Sequence, residues 1–98
     1  MEIFQMPKFK KFAKKLPRHL QQVLLDAVED VISQTDIGEL KKGDLSGFRV
    51  HKFTMDRQLI LLAYKVDSES LTFYQAGPHE NFYKNLKKYI QKNRGSTC

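Results

Sequence analysis

The chain has almost no cysteine: Cys98, its last residue, stands alone. One thiol gives no disulfide framework and no thiolate cluster for structural zinc, so stability has to come from packing, and a reducing, cytoplasmic setting is expected. Long apolar runs are missing as well. The longest, Leu59 to Tyr64, is far short of the roughly 20 residues that cross a bilayer. Met1 to Phe12 lacks the apolar stretch of a signal peptide, and no membrane partner is expected. No Pro/Gly-rich or Ser-rich block marks extended disorder. Nucleotide motifs are absent too: Gly43-Asp44-Leu45-Ser46-Gly47 lacks the lysine and following helix of a phosphate loop, and there is no dinucleotide fingerprint and no His-Glu-x-x-His. Nucleotide hydrolysis, hydride transfer and structural zinc are argued against. The three histidines have no acids at ligand spacing, so neither metal nor cofactor is expected.

What is present fits one folded domain over residues 1–98, with 94–98 as a frayed tail. The apolar share of 41%, with seven Phe and four Tyr, is enough for one modest core. Lys and Arg outnumber Asp and Glu by 17 to 11, and the excess is concentrated. Lys8, Lys10, Lys11, Lys14, Lys15 and Arg18 form one acid-free block; Lys84, Lys87, Lys88, Lys92 and Arg94 form another. Two readings fit: solvated helix faces, or, if folding joins the blocks, a site for a polyanion or an acidic protein.

Periodicity supplies the elements. Glu2 to Met6 reads as an edge strand, and Pro7 suits the first turn of a short helix with Phe9, Phe12 and Leu16 on one face. Pro17 breaks that helix and starts a second, in which Leu20, Val23, Leu24, Ala27, Val28, Val31 and Ile32 follow helical spacing. From Gly47 the period becomes two. Phe48 to Phe53 reads as a strand with Arg49 and His51 on one side; Gln58 to Val66 reads as a central strand, and Leu71 to Ala76 as a third strand in a meander. Gly77-Pro78 ends it, and His79 to Gln91 reads as a closing helix. The order β-α-α-β-β-β-α predicts an α+β fold: an antiparallel sheet with a helix hairpin on one face and the last helix, beside a ligand, on the other.

Arg49 and His51 share a strand face, and His79 and Tyr83 lie four apart on the expected last helix. If that helix packs at the sheet edge, all four line one concave surface. Such a set suits metal-free RNA cleavage: the ribose 2′-hydroxyl loses a proton, the 5′-oxygen gains one, and a fixed cation stabilises the charged phosphorane between them. Each residue also has a plainer reading, as half-exposed strand, helix start, surface cation or packing phenol.

The sequence resembles the RelE/ParE superfamily of bacterial toxins from type II toxin-antitoxin pairs. The likeness rests on Leu40 to Val50, on Leu61-Leu62-Ala63-Tyr64-Lys65-Val66, and above all on Gly77-Pro78-His79-Glu80-Asn81-Phe82-Tyr83, similar to the Gly-x-His followed by an aromatic that many ribosome-dependent nucleases of the family carry. It implies a RelE-like fold and a toxin that enters the ribosome and cuts mRNA without metal, held in check by a cognate acidic antitoxin. By that resemblance Arg49, His51, His79 and Tyr83 are the catalytic set, and Lys8, Lys11, Lys15, Lys52, Arg57, Lys84 and Lys87 hold RNA phosphates. One departure stands out: relatives often place an arginine in the central strand, where this chain has Leu59-Ile60-Leu61-Leu62. Either Arg49 or Arg57 substitutes, or nuclease activity is weak or absent. A toxin that poisons DNA gyrase, or a basic module binding nucleic acid or protein, are the competing readings.

Overall fold

The strand Gln58–Val66 organises the molecule, because Ile60 to Tyr64 are buried one after another and both of its faces need cover. In the computed structural model, which describes the backbone of residues 1–95 and the side chains of residues 1–91, five strands line up as β1 (Glu2–Gln5), β5 (Ser70–Pro78), β4 (Gln58–Val66), β3 (Phe48–Met55) and β2 (Glu39–Leu40). The meander β3-β4-β5 is antiparallel, as its period predicts. β1 instead pairs parallel with β5, Glu2 opposite Ser70, so the sheet is mixed. Pairing direction depends on where the chain returns after the helices, which four residues of β1 do not encode. β2, two residues long within a polar stretch, falls below any periodicity and was not expected.

Helices α1 (Pro7–Lys15) and α2 (Arg18–Ser33) cover one face of the sheet. Pro7 opens α1 at a position where its missing N–H is not needed, and Leu16 before Pro17 is extended, which ends the helix. Gln21 Nε2 reaches back to the carbonyls of Ala13 (3.3 Å) and Leu16 (3.1 Å), pinning the joint. Phe9 of α1 and Leu24, Ala27 and Val31 of α2 close over Ile60, Leu62, Tyr64, Leu71 and Phe73. Each such fully buried aliphatic or aromatic side chain contributes on the order of 1.5–3 kcal/mol.

The opposite face is half covered. α3 (Phe82–Gly95) inserts Phe82 and Leu86 against Leu61, Ala63 and Val50, with Leu45 of a one-turn 3-10 helix (Gly43–Leu45) closing the group. α3 starts three residues later than its pattern predicts: Pro78 still belongs to β5, and His79 to Asn81 form a turn with Asn81 at φ 60°. The expected tail from residue 94 is helical at Arg94 and Gly95, and Ser96 to Cys98 lie outside the described residues. No helix among the described residues is long and apolar enough to cross a membrane.

The β3-β4 hairpin closes at the pair Met55 and Gln58 through Asp56 (φ 51°) and Arg57 (φ 66°). Both sit in the left-handed region, where Asn-Gly is the favoured two-residue turn. The double change Asp56→Asn with Arg57→Gly is expected to raise stability by about 1 kcal/mol, since a left-handed L-residue costs ~1–2 kcal/mol and glycine's extra unfolded freedom takes part of that back. The urea midpoint rises with an unchanged m-value.

Candidate functional site

Strand parity decides which side chains meet. Val50 lies in the core under α3, and Met55 lies in the core under α2. Residues of odd number in β3 therefore face the helix hairpin, and Arg49 and His51 are among them. Arg49 stands directly opposite Tyr64, and its Nη1 donates to the carbonyl oxygens of Gly38 (2.8 Å) and Asp36 (3.3 Å). Tyr64 Oη completes this latch: it donates to the Thr35 carbonyl (2.7 Å) and accepts from the Gly38 N–H (2.9 Å). The guanidinium expected to hold phosphate instead ties the α2-β2 loop to the sheet.

His51 stands opposite Leu62 and stacks on Phe53, ring centroids 6.1 Å apart. Burial disfavours its imidazolium and holds its pKa below the ordinary 6.5, with Asp30 opposing in part. The unfolded chain therefore takes up this proton first as pH falls. His51's contribution to stability is complete above about pH 6.5 and is lost as pH drops towards the folded pKa. Between about pH 7.5 and about pH 5.5 the denaturation midpoint of His51→Asn is expected to fall less than that of the wild type.

Tyr83 packs on the other face of the sheet, with the Leu61, Phe82 and Leu86 core. The four-residue surface expected from spacing is thus not formed: it breaks into Arg49 with His51 on one side and His79 with Tyr83 on the other, because the sheet lies between them. His79 and Tyr83 do meet, edge to face at 6.0 Å, although His79 belongs to the turn before α3 and not to its first turn. Phe82 anchors that turn: its N–H donates to the His79 carbonyl (3.1 Å), and its own carbonyl accepts from Gln75 Nε2 (3.0 Å).

Other residues complete the α3 side. Glu39 of β2 stands opposite Val50 and so shares its face. The Lys41 N–H donates to the Phe48 carbonyl (2.9 Å), continuing the ladder. Lys41 Nζ bonds Glu39 Oε1 at 2.5 Å and stands 5.0 Å from the centroid of the Tyr83 ring. The bond to Glu39 holds the Lys41 ammonium above its ordinary pKa, with Tyr83 adding to it, and Lys41 in turn holds Glu39 below its own. Lys52 also lowers Glu39, which places its charge in the same field. Lys52, Leu61 and Gly77 form one row across β3, β4 and β5 on this face, and a side chain added at Gly77 would meet no atom within 4 Å. The row makes a floor of which Lys52 is the exposed end and Leu61 and Gly77 are the buried part, with an ammonium, a phenol and an imidazole at its rim.

Nothing local in the sequence marks Lys41, because β2 is too short to show a period and the aromatic partner, Tyr83, lies in α3. Of the residues expected to hold RNA, Lys52 lies on this floor, and Arg57 is exposed in the hairpin turn at the same end of the sheet as His79. Lys8, Lys11 and Lys15 lie on α1, and Lys84 and Lys87 on α3, with Lys87 Nζ 3.8 Å from Asp44.

Residues 3–87 match the family model described as ParE-like toxin of type II bacterial toxin-antitoxin system. No curated protein sequence matches. Among solved structures, E. coli RelE (a mutant in the free state) superposes with a TM-score of 0.67 at 15% identity, covering 94% of this chain and 95% of its own. The toxin-antitoxin complex RelBE2 from Mycobacterium tuberculosis gives 0.66 at 15% identity, over 80% of this chain and 96% of that one. The YoeB/ParE toxin from Agrobacterium tumefaciens gives 0.61 at 15%, over 81% and 99%. At these identities the likeness is one of fold, and it matches the α+β arrangement described above.

Proposed function

Since the chain belongs to the ParE-like toxins of type II bacterial toxin-antitoxin systems, we propose that it arrests growth by cutting mRNA on the ribosome, at the floor between Lys41, Lys52, His79 and Tyr83. The observation that carries this reading is the placement of the Lys41 ammonium and the exposed His79 imidazole against one half-buried Tyr83 ring. The ribose 2′-oxygen attacks phosphorus, the bond to the 5′-oxygen breaks, and a 2′,3′-cyclic phosphate and a 5′-hydroxyl result. His79 gives its proton to the leaving oxygen, an imidazole being the side chain that moves protons near neutrality, and solvent takes the 2′ proton. Lys41 and Lys52 stabilise the phosphorane in place of Arg49. Tyr83 holds the ribose or a base. His51 takes no part.

An antitoxin is the proposed partner. Two of the similar solved structures are RelBE toxin-antitoxin complexes, and a net charge of +6 favours an acidic one, with association that weakens as salt rises. One observation favours a second reading, a toxin that binds DNA gyrase: Arg49 is committed to the loop, and the central strand's cation, Lys65, lies four residues along from Leu61, over the Phe48 ring. In a translating extract the nuclease reading expects mRNA cut within its coding region. Intact mRNA together with trapped gyrase-DNA complexes would favour the second.

A further inference from the structure

Folding does join the two basic blocks. Lys8 of α1 holds its ammonium 5.4 Å from the centroid of the Tyr89 ring of α3. Two clefts meet at Lys8. One, of about 140 Å³, has Gln75, Gly77, Pro78 and Asn85 in its walls and so opens beside the His79 turn. The other, of about 350 Å³, lies between Lys8, Lys11 and Tyr89. Together they make a trough along the seam of α1 and α3, leading away from the rim that carries His79.

The lining has a direction. Glu80 lies in the wall of the first cleft, which disfavours a phosphate there, whereas the exposed Asn85 amide offers a donor and an acceptor to a base edge; Gln75 is buried and holds the Phe82 carbonyl. The second cleft carries two ammonium groups and an aromatic ring and no acid. Lys8 is half-buried and has no carboxylate within ion-pair distance among the described residues. Burial lowers its pKa, so an arriving anion recovers part of a desolvation cost already incurred. An aromatic ring flanked by cations is how single-stranded nucleic acid is held without sequence preference, by stacking on one side and phosphate contact on the other.

We propose that the α1-α3 seam is a second RNA site, in which a nucleotide beyond the cleavage point stacks on Tyr89 while Lys8 and Lys11 take the flanking phosphates. The choice of RNA rests on the nuclease reading above; an acidic protein is the alternative occupant, and the Tyr89 ring favours RNA over it.

The test uses the full chain carrying His79→Ala, so that RNA stays intact, and a fluorescent single-stranded RNA of about 12 nucleotides, within the range of such sites. Adding Tyr89→Ala is expected to weaken binding roughly 10-fold or more, and Tyr89→Phe to preserve it, since a stacked base is worth about 1–3 kcal/mol. Lys8→Gln is expected to lower the slope of log affinity against log salt by about 0.7. The sequence has no tryptophan, so Tyr89→Trp introduces a single reporter whose emission RNA should quench. Should the alanine variant fail to fold, the tryptophan, phenylalanine and Lys8 variants decide. Unchanged affinity in Tyr89→Ala, unquenched emission at saturating RNA, or polyglutamate binding as tightly as RNA and losing as much on Tyr89→Ala would overturn the proposal. Intact mRNA in the extract, with RNA still quenching Tyr89→Trp, would sink the nuclease reading alone.

Discussion

Replacing His79 by alanine is expected to slow mRNA cleavage by about 10²–10⁴-fold, the usual worth of a positioned general acid, and to abolish growth arrest. The thermal midpoint should move little, because His79 is exposed and meets Tyr83 edge-on rather than filling a core. Lys41→Ala is expected to cost about 10²–10³-fold through lost stabilisation of the phosphorane. Arg49→Ala gives the opposite pattern: it frees the α2-β2 loop by removing donors to the carbonyls of Asp36 and Gly38, lowering stability while cleavage per folded molecule stays close to wild type. Measuring cleavage and melting on the same preparations separates the two faces of the sheet. A fully toxic His79→Ala would remove the proton-transfer assignment.

The largest effect on folding is expected at Gly38. A Cβ there would sit 2.7 Å from Tyr64 Oη, 2.9 Å from Tyr64 Cε1 and 3.0 Å from the Val50 carbonyl carbon. Tyr64 is fully buried, wedged beside Phe73 with its ring centroid 6.2 Å away, and Val50 is sheet backbone, so neither can give way. Overpacking of this kind costs ~1–3 kcal/mol. Moving the phenol aside would also break its bonds to Gly38 and Thr35, at about 1 kcal/mol each. Gly38→Ala is therefore expected to lose about 3 kcal/mol or more and to melt more than ~10 °C lower, since 1 kcal/mol shifts a domain of this size by about 4–8 °C. Tyr64→Phe keeps the ring and removes both hydroxyl bonds; it should lose about 2 kcal/mol and make Gly38→Ala less costly when the two are combined. A melting point unchanged in Gly38→Ala would mean the loop is not held as described.

The helix hairpin and the meander were legible because their apolar residues repeat over many turns or strand pairs: Leu24, Ala27 and Val31 reach the core as their spacing predicts, and Ile60 to Tyr64 are buried on both faces. Parity also paired Arg49 with His51 correctly. What parity does not contain is which face lies under which helix. That choice depends on Val50, Leu61 and Ala63 joining Phe82 and Leu86, a long-range packing outcome that no local window holds. β2 was hidden for a related reason, since two residues carry no period, and with it went Lys41. His79 was placed one element too late because Gly77 and Pro78 look like a strand end, although Gly77 still pairs with Leu61 and Pro78 with Ile60.

The end groups of the cut RNA test the central claim most directly. If ribose 2′-oxygen attack at the Lys41, Lys52 and His79 floor is the chemistry, the upstream fragment ends in a 2′,3′-cyclic phosphate or its opened phosphate and the downstream fragment begins with a 5′-hydroxyl. These ends should disappear in His79→Ala and persist in a folded His51→Asn. A 5′-phosphate on the downstream fragment, or cleavage that survives in His79→Ala, would contradict the account.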